Sequence, residues 1–257
     1  MSFSHYGALC TEVYDHTKKV GQSIGGDLEY YMGRLQEVCG GGRILEAMVG
    51  SGRILVPILE AGLQVDGVDA SPVMLASCRK RCEERGLATE LYQAQLQELE
   101  LPHLYDAIIV PAGSFLLIED REQSIAALKR MYAHLKPGGR LMLDLFLPDT
   151  NFEQSHFAGT SVFHMPDGDL ITMEGKLIET SFLHQYKVSL IKYEKWRNGT
   201  LIQTELQRFA LRWYGVEEFK YVLESCGFAD IVISADFDQG KAVTSDKQQY
   251  VYEAIRP

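Results

Sequence analysis

Two hydrophobic periods divide this chain. From residue 43 to 146, short apolar runs alternate with stretches whose apolar residues recur every three to four positions. Residues 43–47 read as a buried strand, followed by Gly50-Ser51-Gly52 and a helix that runs to Ala61-Gly62. Residues 63–69 form the second expected strand. Ser71-Pro72 then supplies an N-cap with proline in the first helical turn, and Gly86 ends that helix. Residues 89–93 and 105–110 are expected strands three and four. Asp120 caps a helix that stops at Lys136-Pro137-Gly138-Gly139, and residues 140–146 make strand five. Strands that are apolar on both faces and alternate with helices predict a parallel sheet covered on both sides.

After Pro148 the period changes to two. Ile171, Met173 and Leu177 alternate with Thr172, Glu174 and Lys176, and Tyr186, Val188 and Leu190 alternate with Gln185, Lys187 and Ser189. Turn signals separate these runs at Pro166-Asp167-Gly168-Asp169 and at Asn198-Gly199, a strong hairpin marker. A small antiparallel sheet over residues 148–212 is therefore expected between a core of residues 1–147 and its continuation, 213–257. That continuation reads as a helix over 216–226, stopped by Gly227, and two strands near 229–234 and 249–255.

Composition narrows the function. The formal charge is −10, with 35 Asp and Glu against 25 Lys and Arg spread along 257 residues. A phosphate-rich partner needs concentrated cations, so neither a nucleic acid nor an anionic membrane is expected to bind. No apolar run approaches the ~20 residues of a membrane span, and residues 1–19 lack a signal-type apolar core. The five cysteines (Cys10, Cys39, Cys78, Cys82, Cys226) form no metal-type cluster and read as reduced thiols of a cytoplasmic protein; no metal is expected.

The chemistry gathers where the first strands end. Gly50-Ser51-Gly52 sits at a strand-to-helix turn, where glycine lets the backbone approach a ligand closely. Asp69 ends the second strand, where an acid can accept both hydrogen bonds of a ribose diol. A nicotinamide dinucleotide would want GxGxxG, but Leu55 stands at the third glycine, and no GxxxxGK[ST] string occurs. Glu46, at the end of the first strand, would repel a pyrophosphate and suits the amino-acid end of S-adenosylmethionine (SAM).

The run Ile44-Leu45-Glu46-Ala47-Met48-Val49-Gly50-Ser51-Gly52-Arg53 resembles the first motif of class I SAM-dependent methyltransferases. Val68-Asp69-Ala70-Ser71-Pro72-Val73-Met74-Leu75 is similar to their second motif, Tyr105-Asp106-Ala107-Ile108-Ile109-Val110 to their fourth strand, and Leu135-Lys136-Pro137-Gly138-Gly139 to the turn before strand five. Trp213-Tyr214-Gly215-Val216-Glu217-Glu218-Phe219 and Cys226-Gly227-Phe228 are like the late helix of the small-molecule members. The resemblance implies an α/β, Rossmann-like fold: a seven-stranded, mostly parallel sheet with its last strand antiparallel and helices on both faces, plus the inserted antiparallel sheet. It implies SAM as cofactor and a small-molecule acceptor with a nitrogen or oxygen nucleophile. The implied cofactor residues are Tyr14, Tyr30, Glu46, Met48, Gly50, Gly52, Asp69, Ala70, Gln95, Leu96, Pro111 and Ala112.

Two positions depart from the family pattern. Met48 replaces the first loop glycine, so its side chain must turn into the core or pack on the ligand. Gln95 stands where an aspartate often meets the adenine; an amide still offers a donor and an acceptor. Met48 leaves open a SAM-binding protein without transferase activity. Val110-Pro111-Ala112-Gly113 differs from the Asn/Asp-Pro-Pro-Tyr of relatives acting on DNA or protein glutamine, and Phe115 beyond it could line the transfer channel. No catalytic residue stands out. His156, His164 and His184 read as surface or hairpin residues, and Trp196 and Trp213 as packing anchors. The inserted strands are expected to roof the acceptor pocket; the competing use of their exposed edges is a homodimer contact.

Overall fold

The computed structural model describes residues 6–148 and 159–257, so His156 and the start of the expected insertion lie outside the described residues. Strands β1 (Arg43–Ala47), β2 (Gln64–Asp69), β3 (Leu91–Gln93), β4 (Tyr105–Val110), β5 (Leu135–Leu145), β10 (Ala229–Ala235) and β11 (Tyr250–Ile255) form one sheet in the order β10-β11-β5-β4-β1-β2-β3. β1 to β5 are parallel, and β11 runs antiparallel to both β5 and β10. The remaining helices are α1 (Ala8–Thr17), α2 (Asp27–Cys39), α3 (Leu55–Glu60), α4 (Pro72–Glu83), α5 (Arg121–His134) and α6 (Val216–Ser225).

Alternation along each strand splits the core in two. Leu45, Ile108, Leu141 and Leu143 face α5 and α6, packing with Leu128, Met131, Phe219 and Leu223. Ile44, Ala107, Ile109, Met142 and Val251 face the other way, with Tyr31 and Leu35 of α2, Leu55 of α3 and Cys78 of α4. A period of two then puts Glu46, Asp144 and Glu253 on the α2 side. The caps follow the sequence reading. Ser71 Oγ accepts from the Met74 N–H (3.2 Å) and the Asp120 carboxylate from the Gln123 N–H (2.8 Å).

Among these core strands, one boundary differs by more than two residues. β5 starts at Leu135, five residues before the expected position, because Lys136-Pro137-Gly138-Gly139 forms a bulge instead of a separate turn. Between Tyr105 and Ala107 of β4 the pairing jumps from Leu135 to Arg140, and the Gly138 N–H, with no place in that ladder, donates to the Arg256 carbonyl at 2.7 Å.

The second sheet, β6-β7-β8-β9, is antiparallel: β6 (Thr160–His164), β7 (Leu170–Ser181), β8 (Tyr186–Arg197) and β9 (Thr200–Arg212). Asn198 and Gly199 both adopt positive φ (49° and 76°), which gives the β8–β9 hairpin the twist its strands need. α1 joins the two sheets. Leu9, Cys10 and Val13 pack on Ile171, Ile191 and Tyr193 of the second sheet. Lys195 pairs with Glu12 at 2.7 Å, and on the other side Arg81 of α4 pairs with Asp15 of α1 at 2.8 Å.

Candidate active site at the carboxyl edge of the parallel sheet

The loops that follow β1, β2 and β4 meet because those strands are neighbours in the sheet. The loop after β1 turns on three left-handed residues, Met48 (φ 57°), Gly50 (55°) and Gly52 (81°). Met48 adopts this conformation at some steric cost and folds its side chain onto the α5/α6 cluster, clear of the glycines. A β-carbon on Gly50 would meet nothing within 4 Å, so this position opens on free space. On Gly52 it would sit 2.7 Å from Cys78 Sγ, so here glycine is required by packing.

Glu46 is buried, and its Oε2 has no hydrogen-bond partner. Burial pushes its carboxyl up to about 8, the nearby Arg53 opposes this, and Asp27 and Asp69 add to it. Arg53 cannot neutralise Glu46 fully because Asp27 already holds it. Its Nη1 donates to Asp27 Oδ1 (3.1 Å) and to the Gln22 carbonyl (2.7 Å), with Arg53 and Asp27 both buried. Tyr14 stands at the same place, hydrogen-bonded to Arg53, and burial raises its hydroxyl. The result is a buried acid with no cation of its own.

Asp69 accepts from the N–H groups of Gly50 and Ser71, each at 2.8 Å, which ties the ends of β1 and β2 together. Burial raises its carboxyl and these backbone donors lower it. The carboxylate is half-buried, and Ala70 beside it is exposed. Gln95 is exposed at the start of a short 3-10 turn (Leu96–Glu98), and the Leu96 side chain is buried in the core beneath it. Pro111 is buried after β4, and Ala112 is exposed with φ 61°.

Tyr30 is not brought to this group. Its hydroxyl donates to Glu253 Oε1 at 2.7 Å, beside Arg34, which also holds Glu253. Glu253 pairs with Met142, part-way along β5, away from the loop-bearing edge. Successive helical residues diverge by about 100°, so Tyr31 takes the other course, and its hydroxyl donates to Asp144 Oδ1 at 2.7 Å near the end of β5. Asp27 and Asp144 were not singled out from sequence. Asp144 did carry a signal: an acid inside Leu141-Met142-Leu143-Asp144-Leu145 sits at a strand end as Glu46 and Asp69 do. Tyr6 is a further addition. Its carbonyl accepts from Ser71 Oγ (2.8 Å), and its side chain is close enough to Asp69 and Tyr14 to feel their charge. Nothing in its sequence neighbourhood marks it.

A doubly covered sheet of this order, with a glycine turn and acids at the ends of its first two strands, defines a Rossmann-like nucleoside-binding fold. Residues 44–139 match the family model described as a methyltransferase domain. Those residues carry a SAM-dependent methyltransferase domain. The chain is similar to the sugar N-methyltransferase KedS8 of Streptoalloteichus sp., with a TM-score of 0.73, 22% identity and coverage of 100% of this chain and 97% of that one. It is 27% identical to the aklanonic acid methyltransferase DauC of Streptomyces sp. (strain C5), over 89% of this chain and 96% of the relative. A Geobacillus protein (strain WCH70) carrying only the general name of methyltransferase is 26% identical, over 82% and 84% of the two chains.

Proposed function

We propose that this protein transfers a methyl group from SAM to a nitrogen or oxygen of a small molecule, at the carboxyl edge of the parallel sheet. The observation that carries the cofactor reading is Glu46, a buried carboxylate with one oxygen lacking any partner. Such an orphan is costly unless a ligand completes it, and the ammonium group of SAM is the complement it needs. Asp69 keeps lone pairs for the ribose hydroxyls, and the space over Gly50 admits the cofactor's backbone-hugging portion. The residues present thus fit SAM. They do not favour a nicotinamide dinucleotide, because Leu55 is packed into the core where that loop needs glycine.

When bound, SAM supplies a sulfonium leaving group and the methyl carbon. The protein's own work is to bind, align and exclude water, and alignment of the reacting atoms contributes ~7–11 kcal/mol. Met48 packs in part on the core cluster, and the space over Gly50 stays open beside it, so its presence in the loop is compatible with a bound cofactor. A neutral amine acceptor needs no base at this site, whereas a hydroxyl would require one.

The acceptor side is assigned to residues 148–212, with the core at 1–147 and 213–257. The support is proximity: α1 carries Tyr14 to Arg53 and Glu46 and also packs on the second sheet. The relatives named for a sugar and for aklanonic acid favour a small acceptor over a nucleic acid, as does the net charge of −10. Among the described residues no helix is long and apolar enough to cross a membrane, which accords with a cytoplasmic enzyme. Val162, Leu201, Ile202 and Leu206 on the second sheet are exposed, and a homodimer would cover them.

Calorimetry with SAM, S-adenosylhomocysteine and NAD tests the cofactor. SAM and S-adenosylhomocysteine should bind and NAD should not; NAD binding in their place would overturn the reading. A screen of small amines, phenols and carboxylic acids with labelled SAM then identifies the acceptor, and label transfer to none of these classes counts against it.

A further inference from the structure

The loop after β4 is held by a device the cofactor reading does not use. β4 lies between β1 and β5, so residues 111–114 stand beside the glycine loop on one side and the end of β5 on the other. Ala112 and Gly113 are consecutive left-handed residues, with φ 61° and 63°. For Gly113 this costs little, and a β-carbon there would lie 2.4 Å from the Phe146 ring. For Ala112 the conformation is strained, because its own β-carbon crowds the backbone. Ala112 is exposed at the crevice and is not held by packing of its side chain.

What opposes that strain is a buried acid. Asp144 Oδ2 accepts from the Gly113 N–H at 2.7 Å, and the Ala112 N–H also bonds to this carboxylate. Two successive backbone N–H groups thus converge on one carboxylate, as backbone donors do around a bound anion. The second oxygen accepts from the Tyr31 hydroxyl at 2.7 Å, and both Tyr31 and Asp144 are buried. Among the described residues these neutral donors are what hold Asp144, with no cation paired to it.

We propose that Asp144, set by Tyr31, is a positioning residue: it holds residues 111–114 in their strained form so that Ala112 and Pro111 present a fixed wall to the cofactor and acceptor. This rests on the SAM reading above. Strain of this kind survives where the surroundings over-determine it, and it clusters at functional sites.

The test uses the full chain and SAM as the probe, with affinity by calorimetry and folding by circular dichroism and Tm. Asp144→Asn keeps the shape but turns an acceptor toward a donor, and SAM affinity should fall about tenfold. Tyr31→Phe removes only the hydroxyl and should cost about threefold, which keeps the idea testable if the Asp144 variant folds poorly. The deciding measurement is rescue. Glycine adopts positive φ without strain, so Ala112→Gly combined with Asp144→Asn should recover most of the lost affinity while Tm stays low. A merely structural role for Asp144 would lower Tm with no such recovery, and that result overturns the proposal, as does unchanged affinity in both single variants. Failure of the wild-type protein to bind SAM overturns the cofactor reading itself, an outcome distinct from wild-type binding without rescue.

Discussion

The carboxyl edge of the parallel sheet and the face of the inserted sheet handle their acids in opposite ways. At the edge, Glu46 and Asp144 are buried with no cation paired to them, and burial pushes them up to about 8 and about 6. In the inserted sheet, Asp169 is gripped by Arg197 through two 2.8 Å hydrogen bonds, and Glu174 by Thr160 and Lys192; both acids are held below their usual range. The backbone follows the same division. The edge loops turn on Met48, Gly50, Gly52, Ala112 and Gly113 at positive φ, whereas the inserted sheet keeps positive φ to the tight turns between its long strands (Gly168, Gln185, Asn198, Gly199). One region gives up stability to keep charge and space ready for a ligand, and the other satisfies its own groups.

The largest expected effect breaks the edge outright. Gly50→Val puts a branched side chain into the open space over the loop at φ 55°, where branched residues are rarely found. SAM binding should be abolished in calorimetry while circular dichroism remains near native, since no packed atom is displaced. Normal binding would reduce the loop to a structural turn.

Next in size is the buried Arg53–Asp27 pair, which fixes the only described cation beside Glu46. Asp27→Ala leaves Arg53 uncompensated in the interior and should cost ~3–5 kcal/mol in denaturant unfolding. A loss below ~1 kcal/mol would mean that Arg53 turns to Glu46, and that the edge does not keep its acid apart. Asp69→Ala should follow: loss of hydrogen bonds to a charged acceptor, worth ~1.5–3 kcal/mol, weakens SAM binding about ten- to hundred-fold. Unchanged affinity in a folded variant would remove Asp69 from the ribose assignment.

The smallest effect sharpens the comparison through pH. An acid whose folded value is raised, as for Glu46, lends stability that is complete below its ordinary value near 4.5 and is lost as pH climbs through about 8. The ligand-free protein should therefore lose Tm between pH 5 and 9, and Glu46→Gln should flatten that decline, gaining roughly 2–4 °C for each kcal/mol recovered at pH 9. Glu174→Gln in the inserted sheet should leave this slope as it was. Equal slopes for Glu46→Gln and wild type would show that Glu46 is not the strained group.

Much of this architecture was legible along the chain because it is written in local terms. Periods of 3.6 and two separated the covered sheet from the insertion, Asn198-Gly199 named its own hairpin, and Ser71-Pro72 and Asp120 marked helix starts that the structure caps as expected. The exception, Lys136-Pro137-Gly138-Gly139, reads locally as a turn and becomes a bulge only because Arg256, 118 residues further on, accepts from Gly138.

Within the site, the sequence by itself determined that acids close the first two strands and that glycine follows the first of them, since both are facts of position on one strand. It could not decide which acid each tyrosine of α2 would meet. Tyr30 and Tyr31 are neighbours in sequence, and only the path of α2 across β5 and β11 sends one to Glu253 and the other to Asp144. Nor could it isolate Glu46. That isolation arises because Asp27, from a helix preceding β1, takes the one nearby guanidinium first. Charge and hydrogen bonding act over a few ångströms of space whatever the separation in sequence, so the types of the groups were set by the chain and their pairing by the fold.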